Sequence, residues 1–149
     1  MRSRLGPITL DISNHWADMS EEGGPWTLVR QTEDATGALQ ISVALFESGR
    51  EPGVTVEHLD EMLRESAATH RLGEMFDGCK SEGQLLIAAG SFHSEDAFFF
   101  RVWYASDGRN IAFVTFTTRT GSENNELKDC EAMVASIEFP LPGASNRTD

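Results

Sequence analysis

Arg101 is the residue of this chain whose surroundings most invite chemistry. It stands in the run Phe98-Phe99-Phe100-Arg101-Val102-Trp103-Tyr104, and strand alternation puts Phe99, Arg101 and Trp103 on one face. A guanidinium among aromatic rings can stack on them or grip a carboxylate with two parallel hydrogen bonds. Arg101 is therefore a candidate receptor for an anion or for an acidic group of a partner. A plainer expectation is favoured: the stem covers the sheet while the head pairs with a helix carboxylate. Trp16 is the second candidate, because it lies in the polar stretch His15-Trp16-Ala17-Asp18-Met19-Ser20-Glu21-Glu22. A tryptophan in that context is expected to be an exposed anchor, since Trp is enriched in binding hot spots. The candidate ligand- or partner-binding residues are thus Arg101, Trp103, Phe99 and Trp16, although core packing is the favoured expectation for most of the aromatics Trp16, Trp26, Trp103 and Phe98-Phe99-Phe100.

No catalytic or metal assignment emerges. His93-Ser94-Glu95-Asp96 sets an imidazole beside carboxylates, but four adjacent positions rarely converge on one ion. His15, His58 and His70 show no ligand spacing to it either, so a solvated polar turn is expected there. Gly90-Ser91-Phe92-His93 lacks the second glycine of a nucleophile elbow. Around Glu57-His58 there is no zinc-binding His-Glu-x-x-His pattern, and Gly49, Gly53, Gly73 and Gly78 are scattered at turn positions rather than gathered in a phosphate loop. A triad assembled only in space stays open. Cys79 and Cys130 are too far apart for a metal or redox motif. Both are expected to be buried free thiols, Cys130 as a small hydrophobe on a helix stripe. No cofactor is expected.

The elements that must position these residues belong to one domain. A chain of 149 residues with 24% charged and 40% hydrophobic residues has ordinary globular composition and the commonest single-domain size. Its formal charge of −12 argues against nucleic acid, whose binding relies on Lys and Arg displacing counterions. It argues equally against an anionic membrane surface. It is compatible with a basic protein partner, whose encounter such a field speeds; an acidic surface that simply keeps the protein soluble is the favoured reading of the charge. No apolar run approaches the ~20 residues of a membrane helix. Met1 to Leu10 carries Arg2 and Arg4 without a signal-peptide core, so a cytoplasmic location is expected.

Strands are predicted at Ile8–Ile12, at Trp26–Gln31 after the Gly23-Gly24-Pro25 break, at Ala38–Phe46, where apolar residues recur with a period of two, and at Gln84–Phe92. The region Ser48 to Gly53 reads as a loop. Thr55 is a plausible N-cap for a helix running to about Arg71 and ended by Gly73, with Leu59, Met62, Leu63, Ser66, Ala67 and His70 at helical spacing. The strongest local signal is Phe98–Ala105, then Ser106-Asp107-Gly108-Arg109, then Asn110–Thr118. Asp-Gly at the centre of a tight type I′ turn sets a register in which Tyr104 faces Ile111 and Arg101 faces Val114. Gly121-Ser122 is expected to cap a second helix with the stripe Leu127, Cys130, Met133, Val134 and Ile137. Both hairpin faces carry large apolar residues, so the sheet should be covered at least partly on both sides. The expected fold is α+β: an antiparallel sheet of about five to six strands flanked by two main amphipathic helices, α/β/α sandwich-like. One domain spans 1–139, and 140–149 reads as a flexible tail.

The hairpin Phe98 to Thr118, followed by a helix closing on Met133-Val134-Ala135-Ser136-Ile137-Glu138-Phe139, resembles the closing half of the PsbP-like and DcrB-like α/β/α sandwiches. The early strand Ala38–Phe46 and the helix after it are similar in order, so the resemblance covers about residues 26 to 139. It lies in pattern and carries over no site residue. Members of those groups are mostly binding proteins, among them photosystem extrinsic subunits and bacterial adaptors or chaperones of secreted effectors. Many carry lipoprotein or transit signals, which are not read here. The expected function is therefore a non-catalytic protein-binding module, an effector adaptor, chaperone or immunity-type protein with a basic partner. The alternative is a small-anion binding protein or enzyme with a pocket around Arg101 and Trp103.

Overall fold

The computed structural model describes residues 2–46, 53–122 and 126–141. Its strands are β1 (Arg2–Leu5), β2 (Ile8–Asp11), β3 (Trp16–Asp18), β4 (Trp26–Arg30), β5 (Ala38–Ala44), β6 (Phe76–Glu82), β7 (Leu86–His93), β8 (Phe98–Ser106) and β9 (Ile111–Arg119). Helix α1 (Val56–Thr69) lies between β5 and β6, and α2 (Leu127–Ala135) follows β9. β1 and β2 form a small hairpin of their own, while the rest make one seven-stranded antiparallel sheet in the order β3-β4-β5-β9-β8-β7-β6. The architecture is α+β, with a sheet larger than the five to six strands expected. The additional strands have little signal: β3 has three residues, and β6 reads Phe-Asp-Gly-Cys-Lys-Ser-Glu without apolar alternation. β6 is an edge strand, exposed after Phe76, so nothing selects for a buried face.

The central hairpin forms where expected but two residues out of the expected register. Ser106 pairs with Ile111, Tyr104 with Phe113 and Arg101 with Phe116. A type I′ turn needs positive φ at both central residues, and within this loop only Gly108 has it (φ 99°). Asp107 instead closes a four-residue loop with its side chain. Its Oδ1 accepts from the backbone N–H of Arg109 (2.9 Å) and of Asn110 (2.8 Å), and its Oδ2 from Asn110 Nδ2 (3.0 Å). A slip of two leaves each side chain on its expected face, because the strand period is two.

Helix α1 starts as read: Thr55 Oγ1 accepts from the His58 N–H at 3.2 Å. Its buried stripe is Val56, Leu59, Leu63 and Ala67, and each fully buried Leu contributes about 1.5–3 kcal/mol over exposure. The helix ends two residues before the expected Arg71, at Thr69, and the terminating left-handed residue is Arg71 itself (φ 52°) ahead of Gly73. α2 starts at Leu127, later than a cap at Ser122 would place it, with Glu126 at the N-cap and residues 123–125 outside the described segments. Most of the expected loop at 48–53 and the tail from 142 onward also lie outside them.

Alternate residues of the sheet feed two buried clusters. One gathers Phe99, Trp103, Val114 and Phe116 with Cys130, Met133 and Val134 of α2 and with Leu5, Ile8 and Leu10 of the small hairpin. The other gathers Ala88, Phe92, Val102 and Tyr104 with Leu59, Leu63 and Ala67 of α1. α1 packs on β6, β7 and β8. On that same face β5 presents Gln40, Ser42 and Ala44 exposed. Coverage of this second face is thus partial, as the hairpin's two apolar faces implied.

Candidate functional site

Phe99, Arg101 and Trp103 share a face of β8, and all three are buried, at 2%, 6% and 1% exposure. Arg101 Nε donates to Glu131 Oε1 of α2 at 2.9 Å, and Trp103 Nε1 donates to Glu131 Oε2 at 3.1 Å. One carboxylate thus spans two strand positions, helped by the guanidinium lying 5.8 Å from the Trp103 ring. The rest of the guanidinium points to the sheet edge. Nη1 donates to the Asp77 carbonyl (2.6 Å) and to Ser91 Oγ (3.0 Å), and Nη2 lies 3.6 Å from Cys79 Sγ. The favoured expectation therefore holds: the stem is buried in the sheet and the head pairs with a helix carboxylate. A charge this buried requires such a partner set, because transfer out of water without one is costly. Chemically, the arrangement is a latch joining β6, β7, β8 and α2.

Trp16 corrects the reading that made it exposed. It is 7% exposed, and its Nε1 donates to Asp129 Oδ2 at 2.9 Å. The polar neighbours that suggested exposure belong to the short strand and loop around it, while the indole turns inward to α2. Phe99 sits in an aromatic group, edge-on to Phe76 (6.2 Å) and to His93 (5.8 Å). His93 stacks on Phe76 at 4.7 Å. Beyond His93 the chain makes the expected polar turn, with Ser94 N–H donating to the Phe98 carbonyl at 2.9 Å. Among the described residues no group of three or more His, Cys, Asp or Glu could hold a metal ion.

Glu126 was legible only as a favourable first-turn charge, yet it is fully buried at the N-cap of α2. Its carboxylate accepts from the Thr36 N–H (2.7 Å), Thr36 Oγ1 (3.0 Å) and the Gly37 N–H (3.3 Å). Gly37 is required there, because a Cβ would come within 2.6 Å of the Phe116 ring and of the Thr117 carbonyl oxygen. Helix α2 has nine residues and would be marginal by itself. Glu126, Asp129 and Glu131 fasten it to the 36–37 loop, β3 and β8 in turn. Part of the acidic excess is therefore structural rather than solvating.

Those carboxylates also surround Cys130. Burial, then the negative charges of Glu126, Asp129 and Glu131, push its thiol far above the ordinary range. Cys79, expected to be buried, is exposed on the edge strand. Thiolate, not thiol, is the reactive form. A disulfide-exchange reagent at about pH 8 is expected to titrate one thiol per folded chain and two after denaturation. A Cys79→Ser variant should read zero when folded. Two fast thiols in the folded wild type would contradict the packing of α2.

Among the described residues no helix is long and apolar enough to cross a membrane. No protein-family model matches the chain, and no curated protein matches it by sequence. Solved structures do match. One is a crystal structure of a Bacteroides thetaiotaomicron protein, 16% identical with a TM-score of 0.61, covering 92% of this chain and 46% of that one. The chain thus spans about half the length of that protein. Another is the solution structure of cyanobacterial PsbP from Synechocystis sp., 12% identical with a TM-score of 0.58, covering 94% of this chain and 92% of that one. The fold is PsbP-like, and at these identities the likeness concerns fold alone.

Proposed function

We propose that this chain is a non-catalytic protein-binding module, an adaptor, chaperone or immunity-type subunit, that receives a partner with a basic surface. The observation that carries the reading is the half of the sheet beside α1 that none of the described elements covers. There Ala38, Gln40 and Ser42 of β5 pair directly with Thr117, Thr115 and Phe113 of β9. They form one patch whose residues are exposed or half-buried. A sheet face of mixed polarity suits recognition better than catalysis. Its six residues include no convergent set of acid, base and nucleophile, and Arg101 lies on the opposite face, toward α2. In this reading the layering is an α/β/α sandwich with one helix layer incomplete, and the partner completes it.

The charge of −12 supplies the sign of the partner and makes association salt-dependent. Two unpaired cysteines suit a reducing, cytoplasmic setting. The test is affinity capture with the full chain as bait, at about 50 mM and about 500 mM salt, where screening lengths differ about threefold. We expect a stoichiometric basic protein at low salt, lost at high salt and lost with Thr115→Arg, which sets a like charge on the patch. Retention indifferent to both salt and Thr115→Arg, or no stoichiometric partner, overturns the reading.

A further inference from the structure

Under the C-terminal half of α1 lies a cavity of about 300 Å³ lined by Arg64, Ala67, Ala68, Arg71, Gly73, Met75 and Phe92. Its wall is apolar, including the fully buried Phe92 ring and the nearly buried Ala67. Two arginines border it, in a chain with 24 acidic and 12 basic residues. Among the described residues Arg64 donates from Nε alone, to Asp60 at 3.0 Å. Arg71 has no carboxylate partner among the described residues, unlike Arg2, Arg30 and Arg101.

The backbone at Arg71 adds an independent observation. The end of α1 is a Schellman closure: the Arg71 N–H donates to the Ala68 carbonyl (3.3 Å) and the Leu72 N–H to the Ala67 carbonyl (2.9 Å). The left-handed position in such a closure is ordinarily glycine, because a Cβ is disfavoured there. Here it is arginine at φ 52°, although Gly73 stands two residues on. The chain tolerates that strain at a residue that lines the cavity. The carbonyls of Ser66, Ala67 and Ala68 are taken by the His70, Leu72 and Arg71 N–H groups. Met75 lies against Gly90, where an added Cβ would fall 2.3 Å from its sulfur. A flexible thioether in that place can adjust to an apolar body.

We propose that this cavity binds a small monocarboxylate with an apolar body of about six carbons, its carboxylate held by Arg71 and Arg64 and its chain against Phe92, Ala67 and Met75. The size is at the lower end for ligand pockets. For about eight heavy atoms a dissociation constant on the order of 1 mM is expected.

The probe is sodium hexanoate, with hexanamide as its uncharged match, titrated into the full chain and followed by amide chemical shifts. Saturable shifts confined to residues 64–75 and 92 are expected for hexanoate, with hexanamide at least tenfold weaker. Arg71→Gly separates a ligand role from a structural one. It should raise the melting temperature by about 3 °C by relieving the strain while weakening hexanoate at least tenfold. Ala68→Phe, which fills the cavity from an exposed helix position, should abolish the shifts in a folded protein. Absence of saturation below about 20 mM, equal affinity for the amide, or unchanged affinity in Arg71→Gly overturns the proposal.

Discussion

Glu131→Ala is expected to lower the unfolding free energy by about 3 kcal/mol, because it strands a buried guanidinium rather than merely deleting an exposed carboxylate. Removing one partner of a buried pair costs about 3–5 kcal/mol. The lower end applies here, since the Glu131 side chain is 44% exposed and water can approach from its side. Loss of the acceptor for Trp103 Nε1 contributes further. At this chain length the drop corresponds to a fall in melting temperature of about 6–12 °C. Replacing the pair together, Arg101→Met with Glu131→Leu, is expected to cost less than Glu131→Ala alone, because the uncompensated charge is gone. Urea unfolding of the wild type, Arg101→Met, Glu131→Leu and the double variant, with Glu131→Ala alongside, checks this. Additive single-variant losses would mean that the two side chains do not act as a latch.

Glu126→Ala is expected to cost about 2 kcal/mol, since it leaves the Thr36 and Gly37 N–H groups without their acceptor and opens a void at the start of α2. The loop's own exposure limits the loss, because water can reach Thr36. Glu126→Gln keeps one acceptor oxygen and should cost about half as much. The same unfolding curves decide it. A neutral Glu126→Ala would show that the carboxylate does not join α2 to the 36–37 loop.

These two residues also mark where sequence reading stopped. Strand alternation and helix stripes depend on short-range periodicity, so Ala38–Ala44, the hairpin faces and the stripe Leu59, Leu63, Ala67 were legible. The hairpin register was not, because Asp107 side-chain bonds replaced the backbone turn that Asp-Gly suggests. Strand β6 carries no periodicity because it sits at an edge. For Arg101 the alternation placed the side chain on the right face, and burial by α2 decided between receptor and latch. Trp16 and Glu126 defeated local reading for one reason: each is buried by a contact across about ninety or more positions, with Asp129 and with Thr36. Polar neighbours in sequence say nothing about such contacts.

On the proposed function, recognition falls on β5 and β9, while Arg101 and Trp103 serve to join β8 to α2 on the opposite face. Oxidative footprinting of the chain with its captured basic partner tests that division most directly. The account predicts that Phe113, half-buried on the open face, loses reactivity on complex formation while exposed Phe98 and Met19 do not. Protection of Phe98 or Met19 with Phe113 unchanged would contradict it.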